Sequence, residues 1–126
     1  MTNILVVEND PALRMLISQL LELEGFNVAT AENGRIALEA LDMQAPELVV
    51  CDLVMPEMNG CEVLKALKGN PRTAHVPLVF LTASAAPSER EKCIELGASA
   101  FMTKPFHQTE LLATIRGLLP AAGISA

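Results

Sequence analysis

The sequence predicts a doubly wound α/β sandwich built around a five-stranded parallel sheet. Short aliphatic runs alternate five times with longer stretches of helical spacing, the pattern of repeated βα units. The runs at residues 4–7 and 48–51 are apolar at nearly every position, as strands covered on both faces are. The 126 residues suit one domain, and hydrophobic residues make up 51% of them, enough for a sizeable core.

The elements follow in order. Residues 4–7 form the first strand. Residues 11–24 place Leu13, Leu16, Ile17, Leu20 and Leu21 on one helical stripe, with Asp10 as a cap, Pro11 at the first position and Gly25 as the stop. A second strand spans 26–31. Asn33 and Gly34 then open a helix that carries Ile36, Ala37, Ala40 and Leu41 inward. The third strand is 48–51, and the helix after it runs from about 60 to 68 with Val63, Leu64 and Leu67 inward. Residues 78–81 are the fourth strand. A fourth helix starts near Pro87 or Ser88 and ends at Gly97. The fifth strand is the weaker run 100–103, and the last helix, 108–118, turns Leu111, Leu112 and Ile115 inward. Pro120 stops that helix, so the expected organisation is one domain over 1–119 and a short loose tail over 120–126. Right-handed crossovers make the flavodoxin-like order 2-1-3-4-5, a three-layer (βα)5 sandwich, the natural topology.

Composition narrows the function. The net charge is −6, with no cluster of Lys and Arg and no stacking-aromatic platform, which argues against direct nucleic-acid binding. With four Phe and neither Trp nor Tyr, the core must be aliphatic. Cys51, Cys61 and Cys93 are odd in number and lack CxxC spacing; each reads as a small buried hydrophobe rather than part of a disulfide framework or zinc site. Neither a leader sequence nor a span of about 20 apolar residues is present, so a cytoplasmic setting without membrane insertion is the expectation. GxGxxG, GxxxxGK[ST] and GxSxG are all missing, which disfavours a small-molecule enzyme on this fold.

In such a sheet, ligands sit at the carboxyl ends of the strands, near the switch in strand order. Strand 1 ends in Glu8-Asn9-Asp10, strand 3 in Asp52, strand 4 in Thr82 and strand 5 in Thr103-Lys104-Pro105. Order 2-1-3-4-5 gathers three carboxylates, a hydroxyl and an ammonium on one rim. Clustered carboxylates suit a hard cation such as Mg2+. A carboxylate can also attack phosphorus, with the cation and Lys104 supplying counter-charge. Taken singly, each residue has a plainer reading: Asp10 as a helix cap, Thr82 as a strand end, Lys104 as a solvated lysine. Their coincidence at four strand ends favours a site.

At these residues the chain resembles the receiver domain of two-component response regulators, along nearly its whole length. The matching pieces are Ile4-Leu5-Val6-Val7-Glu8, the run Asp52-Leu53-Val54-Met55-Pro56-Glu57-Met58-Asn59-Gly60, Leu81-Thr82-Ala83, Gly97-Ala98 and Lys104-Pro105-Phe106. The resemblance implies a phosphorelay receiver that takes a phosphoryl group from a histidine kinase or phosphotransfer protein onto Asp52. Thr82 and Lys104 would contact the phosphate. Glu8, Asn9, Asp10, Asp52 and the backbone carbonyl of Val54 would surround Mg2+. Phe101 stands at the aromatic switch position, and the Lys104–Pro105 bond is expected to be cis. Thr82, Phe101, Lys104 and Pro105 would together relay the signal to the helix 4–strand 5–helix 5 face, which would then bind a downstream protein as a monomer or weak homodimer. No chemistry beyond self-phosphorylation and self-dephosphorylation at Asp52 is implied. With no output module after the fifth helix, the stand-alone, chemotaxis-type receiver is the expected kind.

One departure stands out. The family's second acidic residue at the end of strand 1 is here Asn9, which offers a carbonyl oxygen without charge and should weaken the metal. It motivates the alternative of a pseudo-receiver that binds partners without phosphorylation. A second feature concerns phosphoryl lifetime. Val54 and Ser84 flank the path of attacking water in the family, and an apolar Val54 implies slow self-dephosphorylation.

Overall fold

The structure, a computed structural model, describes residues 2–55, 58–83 and 87–119, without the side chains of Pro87, Glu89 and Arg90. Pro56 and Glu57 of the matching run, Ser84, and the expected tail from Pro120 lie outside the described residues.

Five strands alternate with five helices: β1 (Asn3–Val7), α1 (Pro11–Leu23), β2 (Asn27–Ala31), α2 (Gly34–Met43), β3 (Leu48–Asp52), α3 (Gly60–Gly69), β4 (Leu78–Thr82), α4 (Pro87–Glu95), β5 (Ala100–Thr103) and α5 (Gln108–Leu118). The strands form one parallel sheet in the order β2-β1-β3-β4-β5, as predicted. Pairing aligns Val7 with both Ala31 and Cys51, Asp52 with Leu81, and Thr82 with Thr103, so the strands end nearly level.

Side chains alternate across the sheet and build two cores. Ile4, Val6, Val50, Leu81 and Met102 pack under Ile17 and Leu21 of α1 and Leu111 and Ile115 of α5. Leu5, Val7, Val49, Cys51 and Phe80 pack under Ala37, Leu41, Val63, Leu64, Leu67 and Cys93 from α2, α3 and α4. Every residue of β3 and β4 is buried, which is why these runs carry no polar alternation before their last residue.

Two local expectations change. Leu16, placed on the inward stripe, is 58% exposed. The buried row centres between Ile17 and Leu21, and Leu16 lies about a third of a turn away from it. Phe26 does not open β2. Its N–H reaches back to the Leu21 carbonyl (3.2 Å), closing α1 beyond Gly25, whose φ of 91° only glycine adopts readily.

Candidate functional site

The chain ends four strands on one rim, and the sheet's alternation decides which side chains meet there. Glu8, Asp52 and Lys104 lie two residues beyond Val6, Val50 and Met102, so they continue the α1–α5 face. Thr82 lies two beyond Phe80 and shares the opposite face with Phe101.

Lys104 is the hub. Its Nζ lies 2.8 Å from Glu8 Oε1 and 3.5 Å from Asp52 Oδ2. Glu8 is 1% exposed and Asp52 6%, so both carboxylates are shielded from water. Burial and the neighbouring Glu8 charge push the Asp52 carboxyl up from 3.8 to about 6, against the opposing pull of Lys104 and of the Val54 N–H that it accepts. Glu8 is itself fixed: its Oε2 accepts from the Asp10 N–H (3.1 Å), and the Arg14 guanidinium binds its backbone carbonyl (2.9 Å).

The other predicted residues stand at different distances from that hub. Asp10 acts as the α1 cap through Oδ1, which accepts from the N–H groups of Ala12 (3.0 Å) and Leu13 (3.4 Å); the residue is exposed. Asn9 is exposed at the rim, and Val54 is 65% exposed. Thr82 is buried at the end of β4, and its carbonyl accepts from the Lys104 N–H (2.7 Å), tying β5's exit to the site. Phe101 is half-buried against the α2–α4 core. The Lys104–Pro105 bond is cis, the isomer the resemblance implies.

The donor set fits a hard divalent cation in part. Glu8 and Asp52 supply two charged oxygen groups whose mutual repulsion a cation would relieve; Asn9, exposed at the rim, would contribute at most a neutral carbonyl. Among the described residues no group of three His, Cys, Asp or Glu side chains gathers around a common point, because Asp10 is turned to its helix. Such a set suits a cation that keeps several waters.

Sequence reasoning missed three contributors. Arg14 gives no signal, since its role depends on the angle at which α1 leaves β1. Gly60 was read only as part of a motif, yet a Cβ there would sit 2.6 Å from the Asp52 carbonyl and 2.7 Å from a Phe80 ring carbon. Glycine thus lets α3 start directly against the Asp52 strand end. Cys61 is only half-buried, and its Sγ lies 3.9 Å from that of Cys93.

Residues 4–116 match the family model described as the response regulator receiver domain. The Escherichia coli K12 transcriptional regulatory protein CpxR is 42% identical over 119 residues, which cover 94% of this chain and 50% of CpxR. The chain therefore spans about half the length of CpxR. Among solved structures, Vibrio cholerae chemotaxis protein CheY4 superposes with a TM-score of 0.90 at 29% identity, over 94% of this chain and 99% of that one. The signal receiver domain of a signal transduction histidine kinase from Syntrophus aciditrophicus gives 0.87 at 33% identity, over 94% and 90%.

Proposed function

This chain belongs to the response-regulator receiver family, and from that premise we propose that Asp52 accepts a phosphoryl group and that the resulting aspartyl-phosphate controls partner binding. The observation that carries the reading is Lys104 Nζ held between Glu8 and Asp52 at the carboxyl rim of the sheet. In the transfer, an Asp52 carboxylate oxygen attacks phosphorus; the new P–O bond forms as the bond to the donor's leaving group breaks. Lys104 is placed to turn from Asp52 Oδ2 to a phosphoryl oxygen without leaving Glu8. The Thr82 hydroxyl is the group expected to donate to another. Mg2+, held by Glu8, Asp52, the Asn9 side-chain carbonyl and the Val54 carbonyl, would neutralise charge on the phosphoryl oxygens when bound. Val54 has no polar group with which to orient an attacking water, so slow self-dephosphorylation is part of the reading.

Once Thr82 is drawn toward the phosphoryl group, Phe101 on the same face gains room to turn inward, changing the surface made by α4, β5 and α5. The donor would be a histidine kinase or phosphotransfer protein. An open apolar groove borders Lys104, lined by Leu13, Leu16, Ile17, Leu20 and Phe106, and it offers such a donor a seat beside the site. The recipient of the signal is a protein. Among the described residues no helix is long and apolar enough to cross a membrane. CpxR is a transcriptional regulatory protein and the Syntrophus relative is part of a histidine kinase, so chains similar to this one occur in proteins of different kinds.

The test is incubation with Mg2+ and acetyl phosphate, read by intact mass, with Asp52→Asn as control. A mass gain of one phosphoryl group that disappears in the variant supports the reading. No gain at saturating donor and metal would sink it and favour the second reading, a pseudo-receiver that binds partners without phosphate. The observation favouring that alternative is Asn9, exposed and uncharged where the family carries an acid.

A further inference from the structure

Cys61 and Cys93 meet on the face of the sheet away from α1 and α5. Cys61 is the second residue of α3 and half-buried; Cys93 is buried near the end of α4. Their Sγ atoms lie 3.9 Å apart although the residues are 32 positions apart in the chain, so tertiary packing sets the contact. A disulfide needs about 2.05 Å. The remaining gap is less than two ångströms, and closing it asks for a side-chain rotation with a small approach of α4. Of the side chains described in α4, Cys93 alone is buried, so few described contacts hold the helix in place.

The third thiol is poorly suited to compete. Cys51 is fully buried, its Sγ donates to the Asp52 carbonyl (3.3 Å), and burial together with the Asp52 and Glu8 charges pushes its pKa well above the ordinary thiol range.

We propose that Cys61 and Cys93 form a reversible redox pair whose oxidation by peroxide ties α3 to α4. In the first step the Cys61 sulfur attacks one peroxide oxygen. An S–O bond forms as the O–O bond breaks, giving a sulfenic acid and one water. The Cys93 sulfur then attacks the Cys61 sulfur; the S–S bond forms, the S–O bond breaks, and the hydroxyl leaves as water with the Cys93 proton. Two thiols give up two electrons and two protons, and one peroxide becomes two waters. A dithiol reductant reverses the change by exchange.

The bond would couple two functional elements. α3 begins against the Asp52 strand end through Gly60, and Phe101 packs in the same core cluster as Cys61 and Cys93. Oxidation therefore clamps the element next to the aromatic switch. This consequence rests on the phosphoacceptor reading; the disulfide itself does not.

The test treats the protein with hydrogen peroxide, alkylates remaining thiols after denaturation, and maps non-reduced peptides by mass. The expected result is loss of two hydrogens, one alkylated cysteine and a Cys61–Cys93 cross-linked peptide, all reversed by dithiothreitol. The cross-link persists in Cys51→Ser and vanishes in Cys61→Ser and Cys93→Ser. A sulfinic acid at Cys61 without a cross-link, a bridge to Cys51, or a bond between chains would overturn the pair. A second measurement needs no phosphodonor: amide exchange in α4 should slow about tenfold or more on oxidation, and unchanged exchange would overturn the clamp. With acetyl phosphate, the donor-dependent change in α4 exchange should then be lost in the oxidised protein. If Asp52 takes no phosphoryl group in either redox state, the coupling fails while the mapped disulfide stands.

Discussion

Burial and the Glu8 charge hold the Asp52 carboxyl at about 6, while Lys104 and the Val54 N–H pull it down. The folded state therefore binds this proton more tightly than the unfolded chain does. The stability this provides is complete below about pH 4, where the unfolded carboxylate titrates, and is lost as pH rises through about 6. Asp52→Asn keeps the shape and removes the charge. In metal-free buffer it is expected to stabilise the protein at pH 8 by about 1–3 kcal/mol and to leave it nearly unchanged at pH 4, read from urea midpoints at the two pH values. Equal effects at both would mean that Asp52 is not strained by ionisation. The Lys104–Glu8 pair is the counterpart. Glu8 is 1% exposed, so removing Lys104 leaves a buried carboxylate short of its partner. A double-mutant cycle with Glu8→Gln and Lys104→Met should give a favourable coupling of about 1–3 kcal/mol at pH 7; a coupling near zero would reduce the contact to a coincidence of packing. The meeting of Glu8, Asp52 and Lys104 was legible from residue types at strand ends. The pairing inside it was not, because whether Lys104 sits nearer Glu8 or Asp52 depends on how the chain leaves β5.

At the scale of elements, Asp10 was read in two ways, as cap and as metal neighbour, and the geometry provides the cap. Asp10→Ala should cost about 0.5–2 kcal/mol through the lost α1 cap. Affinity for Mg2+, followed by titration monitored by NMR shifts around Asp52, should change less than twofold, under about 0.4 kcal/mol. A fall in affinity of about tenfold would restore the metal role. Several boundaries were readable because they have a local chemical cause: Asp10 with Pro11 and Asn33 at helix starts, Gly25 and Gly97 at positive φ at helix ends. The misplacements have the opposite character. Phe26 is as apolar as a strand residue, but its N–H is claimed by the end of α1. Leu16 lies beside the buried row, and only the docking angle of α1 tells it from Leu20. Gly60 has a reason that no helical or strand pattern carries, a close backbone approach of the α3 start to the Asp52 end of β3.

The whole molecule is unevenly anchored, and the imbalance bears on how one added charge could change it. β3 and β4 are buried throughout, and β1 pairs on both sides. β5 is a four-residue edge strand, and among the described side chains of α4 only Cys93 is buried. Fold and strand order could be read from the sequence because burial on both faces leaves so plain an apolar run. The weakness of α4 was also present there, in the polar residues between Pro87 and Glu95, although the expected boundary alone did not reveal it. Local openings draw on the burial each segment loses, so they are cheapest where least is buried. Native-state hydrogen exchange in rising urea should therefore find amides of β1, β3 and β4 exchanging only through global unfolding. Those of α4 should open several kcal/mol below that, with a weaker urea dependence reflecting the smaller surface exposed. Protection in α4 equal to that in β3 would refute the imbalance. If it holds, the element beside Phe101 is the one held by the least energy, so the few contacts that the proposed phosphoryl group would add at Asp52 and Thr82 would be enough to bias it while the central strands stay fixed.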